Sequence, residues 1–201
     1  PAVFPHTGIS RTSPGAIRQA ERRRAAFMTG DFAYSIVIPA YNEDARIGNT
    51  LERVMRHVEQ RGWTAEVIVV DDGSTDNTVG IVQNLAASNP CLRLVRNPGN
   101  RGKGFSVRNG MLHAQGQTLL FSDADLSSPI AESDKLFAAI QSGADIAIGS
   151  RWLNTELQTQ RQPFHRQLFG RIFNMMLRLI LGLHFKDTQC GFKAFTRTAA
   201  Q

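Results

Sequence analysis

Val67-Ile68-Val69-Val70-Asp71-Asp72-Gly73-Ser74-Thr75-Asp76 and Leu119-Leu120-Phe121-Ser122-Asp123-Ala124-Asp125-Leu126-Ser127 share one design, an apolar run that ends in acids. A short run rich in Val, Ile, Leu and Phe, stopped by acids or glycine, reads as a strand covered on both faces of a parallel sheet. The acids then stand at the carboxyl ends of the strands. Ligands of open α/β sheets bind along that edge, so Asp71, Asp72, Asp123 and Asp125 are expected in one crevice. So many carboxylates in one place call for a cation or a donor-rich ligand between them.

Outward from these two runs, strand and helix alternate. Tyr34 to Ile38 reads as a strand ended by Pro39, and Ile47, Leu51, Val54, Met55 and Val58 then recur at helical spacing. After the second strand, a helix is expected from about Thr75 to Ala87, with Ser74 or Thr75 as its cap. Leu92 to Val95 is a third strand, followed by a glycine-rich loop at 97–104 and a helix at about 105–114. Leu119 to Phe121 is the fourth strand. Ser128-Pro129 then opens a helix that runs to about Gln141, with proline in the first helical position. Ile146 to Ile148 is the fifth strand. This order implies right-handed βαβ units, an α/β fold and a mostly parallel sheet.

The 201 residues suffice for one domain with a substantial core, and 42% hydrophobic with 20% charged residues is ordinary globular composition. Of the net charge of +6, residues 1–30 supply +4, from five arginines against one acid. That segment carries Pro1, Pro5 and Pro14 without periodicity and is expected to be a disordered basic arm, dispensable if Met28 is the start. Residues 31–201 form the single domain. Two stretches stay locally basic, 93–108 and 161–197, but neither interleaves aromatics as a nucleic-acid surface does, so nucleic acid is not an expected partner. Phosphorylated small molecules or an anionic membrane surface fit better. Cys91 and Cys190 stand alone without a Cys-x-x-Cys, no secretory core is present, and the setting expected is cytoplasmic.

The loop Asn97-Pro98-Gly99-Asn100-Arg101-Gly102-Lys103-Gly104 invites a phosphate reading, but Gly104 stands where a P-loop needs Ser or Thr. Its glycine spacing is wrong for a dinucleotide fingerprint too, and a plain connection or a direct phosphate contact both remain open. Asp123-Ala124-Asp125 is the better guide. Two carboxylates after a buried strand can hold a hard divalent cation whose shell is completed by water and phosphate oxygens.

Ile38-Pro39-Ala40-Tyr41-Asn42-Glu43, Val70 to Asp76, Asn100 to Gly104, Asp123 to Asp125, Gly149-Ser150-Arg151 and Asp187-Thr188-Gln189-Cys190-Gly191-Phe192-Lys193 occur in the order and spacing of glycosyltransferase family 2. Over about Tyr34 to Phe195 the chain resembles the dolichyl-phosphate, or polyprenyl-phosphate, glucosyltransferases in particular, relatives of the dolichol-phosphate mannose synthases. The resemblance implies a GT-A fold, with a Rossmann-like sheet flanked by helices. It implies an inverting, metal-dependent transfer of a hexose from a nucleotide sugar, with UDP-glucose as donor and a polyprenyl phosphate as acceptor.

Residue by residue, the resemblance places Pro39, Tyr41 and Glu43 in the nucleotide pocket. Asp72 would accept from the uracil ring, with Val70 beside it and Lys103 also on the donor. Asp123 and Asp125 would hold Mg²⁺ or Mn²⁺ on the diphosphate, with Ala124 at the ribose. Arg151, Arg166 and Lys193 would align the acceptor phosphate. Asp187 carries two readings, a general base for a hydroxyl acceptor or an orienting group for a phosphate acceptor.

Residues 164–183 form a wide apolar helical face interrupted by Arg166, Arg171, Asn174 and Arg178. They read either as a helix lying in the interface at the cytoplasmic side of a membrane or as a core helix. Ser127 stands where mannose synthases carry a metal-holding glutamine, which favours the glucosyl branch over GDP-mannose. Such domains continue past Gly-Phe-Lys with further helix, so the C-terminal end of the domain is expected to be missing. A hydroxyl acceptor, a mannose synthase-like donor and a non-catalytic nucleotide-sugar module remain as alternatives.

Overall fold

Ala65–Asp71 and Thr118–Ser122 are strands whose every residue is buried, as expected for runs covered on both faces. The structure, a computed structural model, describes residues 25–26, 28–149 and 190–201. Arg151, Arg166, Asp187 and the segment 164–183 lie outside the described residues.

The strands are β1 (Tyr34–Ala40), β2 (Ala65–Asp71), β3 (Leu92–Arg96), β4 (Thr118–Ser122), β5 (Ile146–Ile148) and β6 (Phe192–Thr196), arranged in the order β3-β2-β1-β4-β6-β5. β3, β2, β1 and β4 run parallel. β6, which sequence pattern did not reveal, inserts antiparallel between β4 and β5. Its Phe-Lys-Ala-Phe-Thr sends Phe192 and Ala194 to one core and Phe195 to the other, so it lacks the uniform apolar run of its neighbours.

Pro39 does not end β1; it pairs in register with Val70. The Asp72 N–H donates to the Ala40 carbonyl, so alternation turns the Pro39 nitrogen toward β4, where pairing stops at Val37 and Phe121. No ladder donor is needed there.

The helices are α1 (Asp44–Arg61), α2 (Thr78–Ser88), α3 (Lys103–His113), α4 (Ser133–Gln141) and the short α5 (Arg197–Ala200). α1 buries Ile47, Thr50, Leu51, Val54, His57 and Val58 at helical spacing and stops at left-handed Gly62, whose N–H returns to the Glu59 and Val58 carbonyls. With Val82 of α2 and Phe137 of α4 it covers one sheet face, while Met111 of α3 packs with Val37, Ile68, Val70 and Phe121 on the other. Pro129 precedes a 3₁₀ turn, Ile130–Glu132, and α4 begins only at Ser133, whose hydroxyl donates to the Ile130 carbonyl. Ala25, Ala26, Met28 and Thr29 are helical, with Ala26 buried.

Gly116, before β4, lies against β1. A Cβ there would stand 2.6 Å from the Ser35 nitrogen, and backbone cannot yield cheaply. Gly116→Ala is expected to cost about 1–3 kcal/mol through overpacking, measured as a lower urea midpoint with an unchanged slope.

Candidate active site

From β1 the chain proceeds to β2 and β3 on one side and returns to β4 on the other, so the topological switch lies between β1 and β4. Ligands of open α/β sheets bind at such a point. A cleft of about 300 Å³ opens there. Pro39, Ala40 and Tyr41 line it from β1, Glu43 from the start of α1, and Asp72 from the end of β2. Asn100, Gly102, Lys103 and Ser106 line it from the glycine-rich loop and α3, and Asp123, Ala124 and Asp125 from the end of β4.

The Asp-x-Asp segment is a tight turn. The Leu126 N–H donates to the Asp123 carbonyl at 3.1 Å, and Leu126 takes a positive φ of 47° while its side chain stays buried. A non-glycine residue holds that conformation only where its surroundings impose it. Here the Thr50 hydroxyl donates to the Ala124 carbonyl at 2.6 Å, and the Ser127 N–H donates to Asp125 Oδ1 at 2.9 Å. α1 thus pins the turn from below.

The first acid pair divides its labour. Asp71 does not reach the cleft: it is fully buried, its Oδ1 accepts from the Ser74 N–H and its Oδ2 lies 3.6 Å from Arg96 Nε. Asp72 lines the cleft and gathers the glycine-rich loop. Its Oδ1 accepts from Asn97 Nδ2 at 2.7 Å and the Arg101 N–H at 2.9 Å, and its Oδ2 from the Gly102 N–H at 2.8 Å. Asn97 also donates to Ser106 and accepts from Asn109, which ties the loop to α3. Burial pushes the Asp72 carboxyl up, but these donors outweigh it and hold it below its ordinary value.

Asp76 accepts from the N–H groups of both Thr78 and Asp44, so it caps α2 and α1 together, in place of the Ser74 or Thr75 cap expected. Ser74 and Thr75 instead bind Asn42, which adopts a φ of 53° at the lip of the cleft. That use of residues 74 and 75 delays α2 to Thr78.

Glu43, Asp123 and Asp125 bring negative charge together. Burial raises the Glu43 carboxyl above its usual range; Arg46, 2.7 Å away, opposes this, and the charges of Asp125, Asp76 and Asp123 add to it. Asp123 Oδ1 is buried and accepts no hydrogen bond, and the Lys103 ammonium lies 2.6 Å from it as an ion pair. Hard carboxylate oxygens, one of them without a hydrogen-bond donor, suit a divalent cation. Among the described residues no three His, Cys, Asp or Glu side chains form a ready cage, so a cation held here would take its remaining ligands from substrate and water.

The model of Glycosyl transferase family 2 matches residues 35–201. The chain belongs to that family. Curated relatives named dolichyl-phosphate beta-glucosyltransferase are 41% identical in Trichomonas vaginalis, 38% in Drosophila melanogaster and 37% in Saccharomyces cerevisiae. The matches cover 87%, 83% and 82% of this chain and 55% of each relative, so the chain spans about half the length of the curated relatives it matches.

Two solved glycosyltransferases share the GT-A fold. Glucosyl-3-phosphoglycerate synthase from Mycobacterium tuberculosis, crystallised with Mn²⁺, UDP-glucose and phosphoglyceric acid, superimposes with a TM-score of 0.61 at 22% identity, over 94% of this chain and 63% of that one. Mannosyltransferase PcManGT from Pyrobaculum calidifontis, with GDP-Man and Mn²⁺, gives 0.59 at 19% identity, over 91% and 55%.

Within this family 2 domain, Pro39, Tyr41, Glu43, Asp72, Lys103, Asp123, Ala124 and Asp125 all line the cleft. Val70 does not. Strand alternation turns it to the α3 side, where it is fully buried against Gly110. Lys193 stands within β6, in register with Phe121 and Ile148, and is not among the lining residues.

Thr50, Asn97 and Gly191 carry roles that sequence reading did not assign. A Cβ at Gly191 would overlap the Asp123 carboxylate, so any larger residue there would shift that side chain. The backbone N–H groups of Arg101 and Gly102 point at Asp72, while Asn100, Gly102 and Lys103 line the cleft from this segment.

With its pKa held below 3.8, ionised Asp72 stabilises the fold above that pH, and the contribution is lost as the pH falls through the folded value. Asp72→Asn is therefore expected to lower the urea midpoint near neutral pH and to differ progressively less from wild type as acid is added below pH 3.8.

Proposed function

We propose that this domain transfers glucose from UDP-glucose onto a polyprenyl phosphate of the dolichyl type, giving a β-linked lipid-phosphate sugar. The observation that carries the reading is the meeting of Asp72, Asp123, Asp125 and Lys103 in one cleft at the sheet's switch point. The names of the curated relatives support the lipid-phosphate acceptor and the glucosyl donor.

Tyr41, 45% exposed, offers a ring face to the nucleotide beside Pro39 and Glu43. Asp72 accepts from Asn97, Arg101 and Gly102 and lines the cleft, where it would meet a ring N–H of uracil. Asp123 and Asp125 would hold Mg²⁺ or Mn²⁺, which supplies Lewis-acid stabilisation of the charge on the departing diphosphate. Lys103 adds a positive charge at the same place.

A lipid phosphate oxygen attacks the anomeric carbon as the bond to UDP breaks, and inversion turns an α-donor into a β-product. Its second pKa of about 6 leaves the phosphate largely ionised, so no strong base is required. Arg151 and Arg166 are assigned to aligning it, with Arg suited to bidentate contact. In this reading Asp187 orients those cations. Transfer to a sugar hydroxyl would instead need Asp187 as base. In this reading the acceptor is met at the cytoplasmic face of a membrane. No helix among the described residues is long and apolar enough to cross a membrane.

The test offers UDP-glucose, GDP-mannose and UDP-N-acetylglucosamine with polyprenyl phosphate and Mn²⁺. Glucosyl transfer from UDP-glucose is expected, with turnover abolished in Asp125→Ala and partly kept in Asp187→Asn. UDP binding without product in wild type would overturn the enzymatic reading. Gly191→Ala, which displaces Asp123, is expected to weaken Mn²⁺-dependent UDP binding by about 10–100-fold, read by calorimetry.

A further inference from the structure

Lys103 is the first residue of α3, between Gly102 and Gly104, and a Cβ on either glycine would meet nothing within 4 Å. Its side chain is 61% exposed and its ammonium lies 5.6 Å from the centre of the Phe121 ring as well as 2.6 Å from Asp123 Oδ1. A long side chain in open space, held at its tip, is free to choose another anion. Asp123 has a much shorter side chain, and Gly191, having no Cβ, leaves its carboxylate the space that any larger residue would take.

Resting on the donor-site reading above, we propose that Lys103 is an exchangeable counter-ion. Without a divalent cation it neutralises Asp123; on donor loading it releases Asp123 and pairs with the donor's diphosphate. Three physical points support the exchange. A divalent cation attracts one carboxylate about twice as strongly as an ammonium at equal distance and repels the ammonium beside it. The ion pair lacks hydrogen-bond alignment at Asp123 Oδ1, so little directional bonding opposes the move. The N–H groups of Arg101 and Gly102 are committed to Asp72, and Lys103 is the cation that this stretch of chain sends to the cleft lining.

The exchange couples the two ligands. A cation arriving alone must displace Lys103 with no anion to receive it, whereas a cation arriving with a diphosphate gives the ammonium a new partner. Cation and nucleotide therefore bind as one cooperative event, and the cleft does not trap metal without donor.

Mn²⁺ alone is titrated by electron paramagnetic resonance against wild type, Lys103→Met and Lys103→Arg, then again with UDP present. The Met variant is expected to bind Mn²⁺ about tenfold more tightly than wild type without nucleotide, and UDP to raise its Mn²⁺ affinity less than it raises that of wild type. The Arg variant is expected to restore weak binding of Mn²⁺ alone. Equal or weaker Mn²⁺ binding by the Met variant would overturn the exchange, while UDP-promoted Mn²⁺ uptake that is lost in Asp123→Asn would leave the donor-site reading standing. If UDP promotes no Mn²⁺ uptake by wild type, both fall.

Discussion

Four carboxylates, Glu43, Asp72, Asp123 and Asp125, line one cleft, and the mutual repulsion of Glu43, Asp123 and Asp125 has to be offset for the cleft to persist. Arg46 sits on Glu43 and Lys103 on Asp123. The arrangement is asymmetric. Arg46 is anchored one turn along α1 from its partner, whereas Lys103 reaches from the start of α3 to an acid at the end of β4. One cation near the cleft is thus local to its acid and the other bridges two elements.

The sheet order puts this charge where it is. Because β1 is flanked by β2 and β4, the loops that follow three neighbouring strands converge on the switch point. Each loop is then clipped to another. Asp76 caps two helices at once, Asn42 is held by Ser74 and Thr75, Asp72 holds the glycine-rich loop, and Thr50 holds the Asp-x-Asp turn from α1. The positive φ angles of Asn42 and Leu126 occur only at these clipped loops among the described non-glycine residues. Strain of that kind is tolerated because several partners fix the same short segment.

The parallel strands and the amphipathic α1 were legible because burial on two faces writes a continuous apolar run and burial on one helical face writes a 3.6-residue period. The boundaries at Thr78 and Ser133 were not, since both depend on which distant group takes the first free N–H groups of a helix. Pro39 misled for a similar reason. Its missing donor matters only if a neighbour needs it, and β4 ends too soon to need it. β6 stayed hidden because its residues serve two cores alternately and match no single pattern.

Residue types and spacing alone established the α/β class, the strand-end acids and the membership of Asp123 and Asp125 in one chemical unit, since hydrophobic periodicity and carboxylate chemistry are local properties. The division between Asp71 and Asp72, the exclusion of Val70, and the parts played by Thr50, Asn97 and Gly191 required the folded chain. Adjacent strand residues point to opposite faces, and which face meets a cleft is decided by packing partners tens of residues away.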